Sequence, residues 1–75
     1  MNEKNIDIIR KRIAEAADKL CGRLPDSPRH PKGRNPYAHI PNVIKSAFGM
    51  SYVEIEDKHI DIVIEVIEYC EKYPF

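Results

Sequence analysis

The side chains of this sequence best suited to bind a metal ion are three histidines and two cysteines: His30, His39, His59, Cys21 and Cys70. Zinc sites usually contain paired ligands about two to five positions apart along the chain. No two of these five residues have that spacing. We therefore expect no metal site, with the histidines in loops or at the surface and the cysteines as small buried side chains on helix faces.

Catalysis by a nucleophile needs a serine or cysteine that is activated by a neighbouring base. The serines of this chain lie in no recognisable nucleophile motif; they are Ser27, Ser46 and Ser51. The carboxylate pairs Glu54 with Glu56 and Glu65 with Glu68 are explained by the solvated side of an amphipathic helix and the turn before it. The sequence therefore predicts a protein that is not an enzyme and uses no cofactor.

Basic residues are concentrated in the first half of the chain. Residues 1–45 carry ten Lys and Arg against five Asp and Glu, whereas residues 46–75 carry two against seven. Opposite charges on the two halves favour attraction within one chain or between subunits. The alternative is a nucleic-acid-binding module that contacts phosphates, with Tyr37 as a stacking residue. The basic residues available for phosphates are Arg10, Lys11, Arg12, Arg23, Arg29, Lys32 and Arg34.

A helix-turn-helix motif is disfavoured by the second half of the chain. The segment from Gly49 to Glu56 is longer than the usual turn of that motif. The helix that would enter the DNA groove carries four acidic side chains, which would face phosphates: Asp61, Glu65, Glu68 and Glu71. The sign of this charge opposes DNA binding.

The elements that position these side chains must form within 75 residues, of which 43% are apolar and 32% charged, with a formal net charge of zero at pH 7. A chain of this size builds one small core. Residues 1–5 show no signal-peptide pattern, and the apolar stretch from Ile60 to Cys70 is interrupted by charges and too short to span a bilayer. Two cysteines are too few for a disulfide-stapled secreted domain. We expect a single cytoplasmic domain that is not inserted in a membrane.

Apolar residues at intervals of three and four predict a first helix over about residues 5–21. They are Ile6, Ile9, Ile13, Ala16, Ala17, Leu20 and Leu24. Asn2 or Asn5 can cap the start of this helix, and Gly22 suits a left-handed position after its end. Repeated prolines then predict an extended basic loop over about residues 22–35.

A second helix is predicted after the Asn35-Pro36 cap. It begins at Pro36 or, because a proline in the second turn removes a backbone hydrogen bond, only at Pro41. Its end is predicted at Phe48, before Gly49, and its apolar face contains Tyr37, Ile40, Val43, Ile44, Ala47 and Phe48. Residues 49–55 are expected to form a turn, since no second strand exists to pair with their alternating pattern.

The third predicted helix, over about residues 56–73, carries two apolar stripes. One contains Ile60, Val63, Ile64, Ile67 and Cys70, and the other contains Ile62, Val66, Tyr69 and Tyr73. A helix on the surface of a monomer needs one apolar stripe to cover the core, so a second stripe indicates burial against another chain. This pattern predicts a homo-oligomer, most simply a dimer, or a groove for a partner helix.

Within residues 37–70, a helix ends in Phe48-Gly49-Met50-Ser51-Tyr52 and a turn leads into the final apolar helix. The other residues of this pattern are Tyr37, Ile40, Ile44, Lys45, Ile55, Ile60, Val63, Ile64 and Ile67. The pattern resembles the small C-terminal domain of phage antirepressors and related prophage regulatory proteins, in which a helix ends in Phe-Gly-x-Ser-Tyr. The first helix matches that family in outline, whereas the proline-rich loop departs from it. The resemblance implies a regulator that inactivates a repressor by contact.

Together these patterns predict an all-α, three-helix domain with a long proline-rich basic loop between its first and second helices. We expect it to bind a protein partner, such as a phage repressor, and to self-associate through the last helix. The predicted oligomer interface contains Ile60, Ile62, Ile64, Val66, Ile67, Tyr69 and Tyr73. The predicted partner-binding residues are Arg29, Lys32 and Arg34, and Tyr37, Phe48 and Tyr52 are expected mainly in the core.

Overall fold

A computed structural model describes residues 1–23 and 35–73 of the chain. Three α-helices make up most of this part: α1 (Glu3–Leu20), α2 (Pro36–Phe48) and α3 (Ile60–Lys72), with a single 3₁₀ turn (Asp57–His59) before α3. Each helix packs against the other two. The predicted all-α, three-helix class is confirmed, and the two described ranges contain no β-strand. The predicted basic loop, with Arg29, Lys32 and Arg34, lies outside the described residues.

Helix α1 starts at a side-chain cap and ends at a left-handed glycine. The side-chain oxygen of Asn2 accepts a 2.8 Å hydrogen bond from the Asn5 backbone N–H, which satisfies one of the donors left open at a helix start. Beyond the end of α1, Gly22 adopts a φ of +78°, a conformation that costs glycine little. The predicted helix is therefore present, and it begins two residues earlier than the apolar pattern indicated.

Helix α2 begins at Pro36 and contains Pro41. The side chain of Asn35 caps it by accepting a 2.9 Å hydrogen bond from the Tyr37 N–H, and Pro36 occupies the first turn, where a missing donor costs nothing. The structure thus decides between the two predicted starts. The helix ends as predicted at Gly49, whose φ is +73° and whose N–H donates to the Lys45 carbonyl.

The connection between α2 and α3 is held against the start of α1. One carboxylate oxygen of Asp57 accepts hydrogen bonds from the Asn2 backbone N–H at 2.7 Å and from the Asn5 side-chain amide at 3.0 Å. These bonds lower the pKa of Asp57 below its usual range, with the Asn2 bond as the main cause. Ile55, five residues before the start of α3, is buried in the core. Helix α3 itself begins at Ile60, after the 3₁₀ turn, rather than at the predicted residue 56.

The core lies between the three helices and is entirely apolar. Its buried side chains are Ile9, Ile13, Ala16, Ala17 and Leu20 from α1, Ile40 and Ile44 from α2, Ile55 from the connection, and Val63, Ile67 and Cys70 from α3. Phe48 and Tyr52, predicted mainly in the core, pack against it and stay partly exposed. No described helix is long and apolar enough to cross a membrane.

Two side chains predicted to be buried lie at the surface instead. Tyr37 is 49% exposed, and its hydroxyl group donates a hydrogen bond to the carboxylate of Asp18 on α1. That bond raises the pKa of Tyr37. Cys21 is exposed because it caps the C-terminal end of α1, beyond the last buried turn of the helix. Both predictions were therefore wrong at these positions.

Candidate protein-binding surface

Three residues of α3 and Tyr73, directly after its end, form an apolar line on the outside of the three-helix core. Ile62, Val66, Tyr69 and Tyr73 are spaced by four, three and four positions, so they fall within about 60° of one another around the helix axis. The exposed fractions are 46% for Ile62, 55% for Tyr69 and 51% for Tyr73. Val66 is half-buried and packs on the core. We call these four residues the outer stripe.

The two tyrosines of the outer stripe are already packed against each other. Their ring centroids are 5.1 Å apart and the ring planes are tilted by 47°. The ammonium group of Lys72 lies 5.5 Å from the centroid of the Tyr73 ring, within the range of a cation–π contact. One edge of the stripe therefore carries a positive charge beside a paired aromatic surface.

The structure divides the predicted oligomer interface into three parts. Ile62, Val66, Tyr69 and Tyr73 form the outer stripe. Ile67 is fully buried in the core, so its prediction as an interface residue was wrong. The cause is geometric: Ile67 lies on the same side of α3 as Val63 and Cys70, which face the other two helices.

The remaining two predicted interface residues, Ile60 and Ile64, are half-buried and pack against the core. Ile64 lines a shallow cleft of about 430 Å³ together with Ile8, Lys11, Arg12 and Glu15 of α1. Around the helix axis, Ile64 lies roughly opposite the outer stripe. The predicted interface is therefore not one surface, and Ile64 belongs to the contact between α1 and α3.

An ion-pair network fixes the orientation of α3 against α1. Glu71 accepts a hydrogen bond from Arg12 at 2.8 Å and another from Lys19 at 3.2 Å. The Arg12 bond is the main reason that the pKa of Glu71 is lowered. Because Glu71 stands on the α1 side of α3, this network turns the outer stripe away from α1.

The consecutive basic residues of α1 do not form one basic surface. Arg12 is held by Glu71, and Arg10 donates a 3.4 Å hydrogen bond to the hydroxyl of Tyr52, which raises the pKa of Arg10. Lys11 lies in the cleft beside Glu15. Three successive helical positions point about 100° apart, so these charges are separated around the helix.

A second apolar surface lies where α2 joins the connection to α3. Phe48, Met50 and Ile55 line an open cleft of about 330 Å³, and the same cleft is bordered by Glu54, Glu56 and His59. Met50 is 41% exposed. Sequence reasoning did not find this surface, because Met50 and Ile55 follow neither a helical nor a paired-strand pattern.

The described residues contain no group of three or more His, Cys, Asp or Glu side chains arranged to hold a metal ion. Both cysteines are free thiols, Cys70 inside the core and Cys21 at the surface. Burial raises the pKa of the Cys70 thiol, which keeps it protonated and poorly reactive. In residues 1–23 and 35–73, the outer stripe brings together three of the exposed large apolar side chains and is the candidate surface for contact with another molecule.

Comparison of the chain with models of protein families, with curated proteins and with solved structures found no match in any of the three.

Proposed function

We propose that this protein is a small cytoplasmic phage or prophage regulator that acts by protein–protein binding, in the manner of an antirepressor, and not by catalysis. The single observation that carries the proposal is the outer stripe, in which three large apolar side chains are each about half exposed. Isolated exposed apolar residues are ordinary, whereas a contiguous line of them marks a contact surface.

Protein binding fits the described surface better than nucleic-acid binding does. Of the basic run in α1, Arg12 is paired with Glu71, and the remaining charges of Arg10 and Lys11 point in different directions around the helix. Helix α3 carries Asp61, Glu65 and Glu68 on exposed positions. A phosphate backbone would meet net negative charge there.

The antirepressor role rests on the resemblance of residues 37–70 to the C-terminal domain of phage antirepressors. The helix end at Phe48 and Gly49, and the packing of Tyr52 on the core, agree with what that resemblance implies. We assign repressor contact to the basic residues Arg29, Lys32 and Arg34, which suit an acidic partner surface. Self-association, most simply as a dimer, is assigned to the outer stripe.

The direct test adds the purified protein to operator DNA that is bound by the repressor of the same phage or prophage. The proposal predicts stoichiometric release of the DNA. Reversing three charges, with Arg29→Glu, Lys32→Glu and Arg34→Glu together, should abolish release. The matched control reverses three exposed charges on the helices, Lys4→Glu, Lys11→Glu and Lys45→Glu, and should release DNA as the wild type does.

The alternative function, nucleic-acid binding through the basic half, predicts a different result in the same assay. The protein would bind free duplex DNA at near-physiological salt, and its affinity would fall linearly in a plot of log affinity against log salt. That outcome, with an intact repressor–operator complex, would contradict the antirepressor proposal.

A further inference from the structure

We propose that the outer stripe binds the outer stripe of a second copy of this chain in antiparallel orientation, with Ile62 opposite Tyr73 and Val66 opposite Tyr69 across a twofold axis. This inference rests on the proposed self-association and adds its geometry. The spacing of the stripe and the charges beside it support this pairing.

The spacing of the stripe is that of a short coiled-coil seam. Intervals of four, three and four residues repeat every seven positions, which keeps one edge of a helix against a partner helix. Along the stripe, the two smaller aliphatic side chains, Ile62 and Val66, come first, and the two larger tyrosines, Tyr69 and Tyr73, follow. In antiparallel pairing each tyrosine meets an aliphatic residue of the other copy, so large side chains alternate with smaller ones along the seam.

Charge complementarity selects the same register. Lys72 is the only basic residue of α3, and Asp61 and Glu65 lie on the same flank of the stripe as Lys72. When Ile62 lies opposite Tyr73, Lys72 of one copy falls opposite position 63 of the other, midway between Asp61 and Glu65. Because of the twofold symmetry, the contact of Lys72 with the acidic residues of the other copy occurs twice.

Parallel pairing would lose these contacts. In a parallel pair each flank of the stripe faces the opposite flank of the other copy, so the charges of one copy would face the flank that contains Val63 and Cys70. The antiparallel arrangement is therefore the one that matches opposite charges.

The structure of the monomer leaves the seam ready to pair. The core is complete without the exposed parts of Ile62, Tyr69 and Tyr73, and the Glu71 network with Arg12 and Lys19 lies on the other side of α3. From Ile62 to Tyr73 the seam is about 16 Å long. An interface of that size is at the small end for specific association, so we expect a dissociation constant on the order of micromolar.

Disulfide trapping tests the orientation directly. In a Cys21→Ser background, Cys70 stays buried, and single variants Ile62→Cys and Tyr73→Cys each add one exposed thiol. Antiparallel pairing predicts that the mixture of the two variants forms a mixed disulfide dimer, while each variant alone forms little. The reason is distance: residue 62 of one copy lies about 16 Å along the axis from residue 62 of the other, too far for a disulfide.

Efficient dimers from each variant alone would show parallel pairing and overturn the proposal. Absence of any disulfide dimer at concentrations above ten micromolar would overturn it as well. A matched mixture of Ala14→Cys and Ala38→Cys, which places the thiols on exposed positions of α1 and α2, should form no dimer above background.

A charge exchange tests the register independently of cysteine chemistry. Lys72→Glu should weaken dimerisation about threefold to tenfold at low salt, since two exposed ion-pair contacts are lost. Combining it with Glu65→Lys should restore the affinity, because positions 65 and 72 are two turns apart within one helix and meet only between copies. Lys58→Glu makes the same charge change outside α3 and should leave the affinity unchanged. Failure of the combined variant to recover would contradict the register.

The outcomes separate this inference from the proposed function. A trapped antiparallel dimer that does not release repressor from operator DNA would leave the inference standing and overturn the antirepressor role. Release of operator DNA by a protein that stays monomeric and forms no mixed disulfide would do the reverse.

Discussion

At the scale of single residues, substitutions can distinguish the face of α3 that packs on the core from the outer stripe. Tyr69 is 55% exposed and Ile64 is packed on the core beside α1. We predict that Tyr69→Asp abolishes self-association, because a charge must then be buried at the seam, and leaves the folded monomer intact. Sedimentation measures the first effect, and circular dichroism measures the second.

Ile64→Asp is the contrasting variant. Its new carboxylate would lie in the contact between α1 and α3, so we predict a loss of about 2 kcal/mol or more in the free energy of unfolding of the monomer itself. Chemical denaturation at low protein concentration measures this loss. An oligomer that dissociates with Ile64→Asp at full monomer stability would contradict the assignment of Ile64 to the helix contact.

The ion pairs of Glu71 make a pH-dependent contribution to stability. Because the pKa of Glu71 is lowered in the folded state, its contribution is present above the unfolded value of about 4.3 and is lost as the pH falls through the lowered folded value. Glu71→Gln should therefore reduce the free energy of unfolding by about 0.5–1 kcal/mol at pH 7. Denaturation curves of the two proteins should converge at acidic pH, and a difference that stays constant down to pH 2 would contradict this explanation.

At the scale of helices, burial predicts which side of α3 carries monomer stability. Ile67 is fully buried, so Ile67→Ala should cost about 2–5 kcal/mol in the free energy of unfolding. Ile62→Ala removes the same atoms from a side chain that is 46% exposed and should change stability by about 0.5–1 kcal/mol. Both free energies of unfolding should be measured at protein concentrations below the dissociation constant of the dimer, so that dimer formation does not add to the measured stability. Equal losses would show that the outer stripe is buried in the monomer.

The glycine that caps the end of α2 provides a second test at the scale of helices. Gly49 has a φ of +73° and no atom within 4 Å of the position of an added Cβ. Gly49→Ala should therefore reduce the free energy of unfolding by about 1 kcal/mol through backbone strain alone, with no steric clash. Thermal denaturation measures the change, and an unchanged midpoint would contradict a strained cap.

The elements themselves were predictable from the sequence, because three- and four-residue apolar spacing, asparagine caps and glycine ends are local signals. The faces were less predictable. On α3 both stripes are equally apolar in sequence, and only the packing of α1 and α2 shows that Ile67 faces inward and Ile62 outward. Tyr37 was misplaced because it continues an apolar period, whereas its hydroxyl group binds Asp18 at the surface. The cleft at Met50 has no periodic signal at all.

At the scale of the whole molecule, the opposite charges of the two halves of the chain meet at the contact between α1 and α3. The basic first half and the acidic second half meet in the contacts of Glu71 with Arg12 and Lys19, as the predicted complementarity between the halves requires. The same contacts remove a basic residue from the surface of α1. The exposed outer stripe is apolar, and this favours contact with a protein.

Sedimentation equilibrium measures self-association directly, because it gives the solution mass of the protein as a function of concentration. We predict a reversible change from the 8.7 kDa monomer to twice that mass across the micromolar range, and a monomer at every concentration for Tyr69→Asp. A wild-type protein that stays at the monomer mass up to hundreds of micromolar would contradict the outer stripe as a self-association surface.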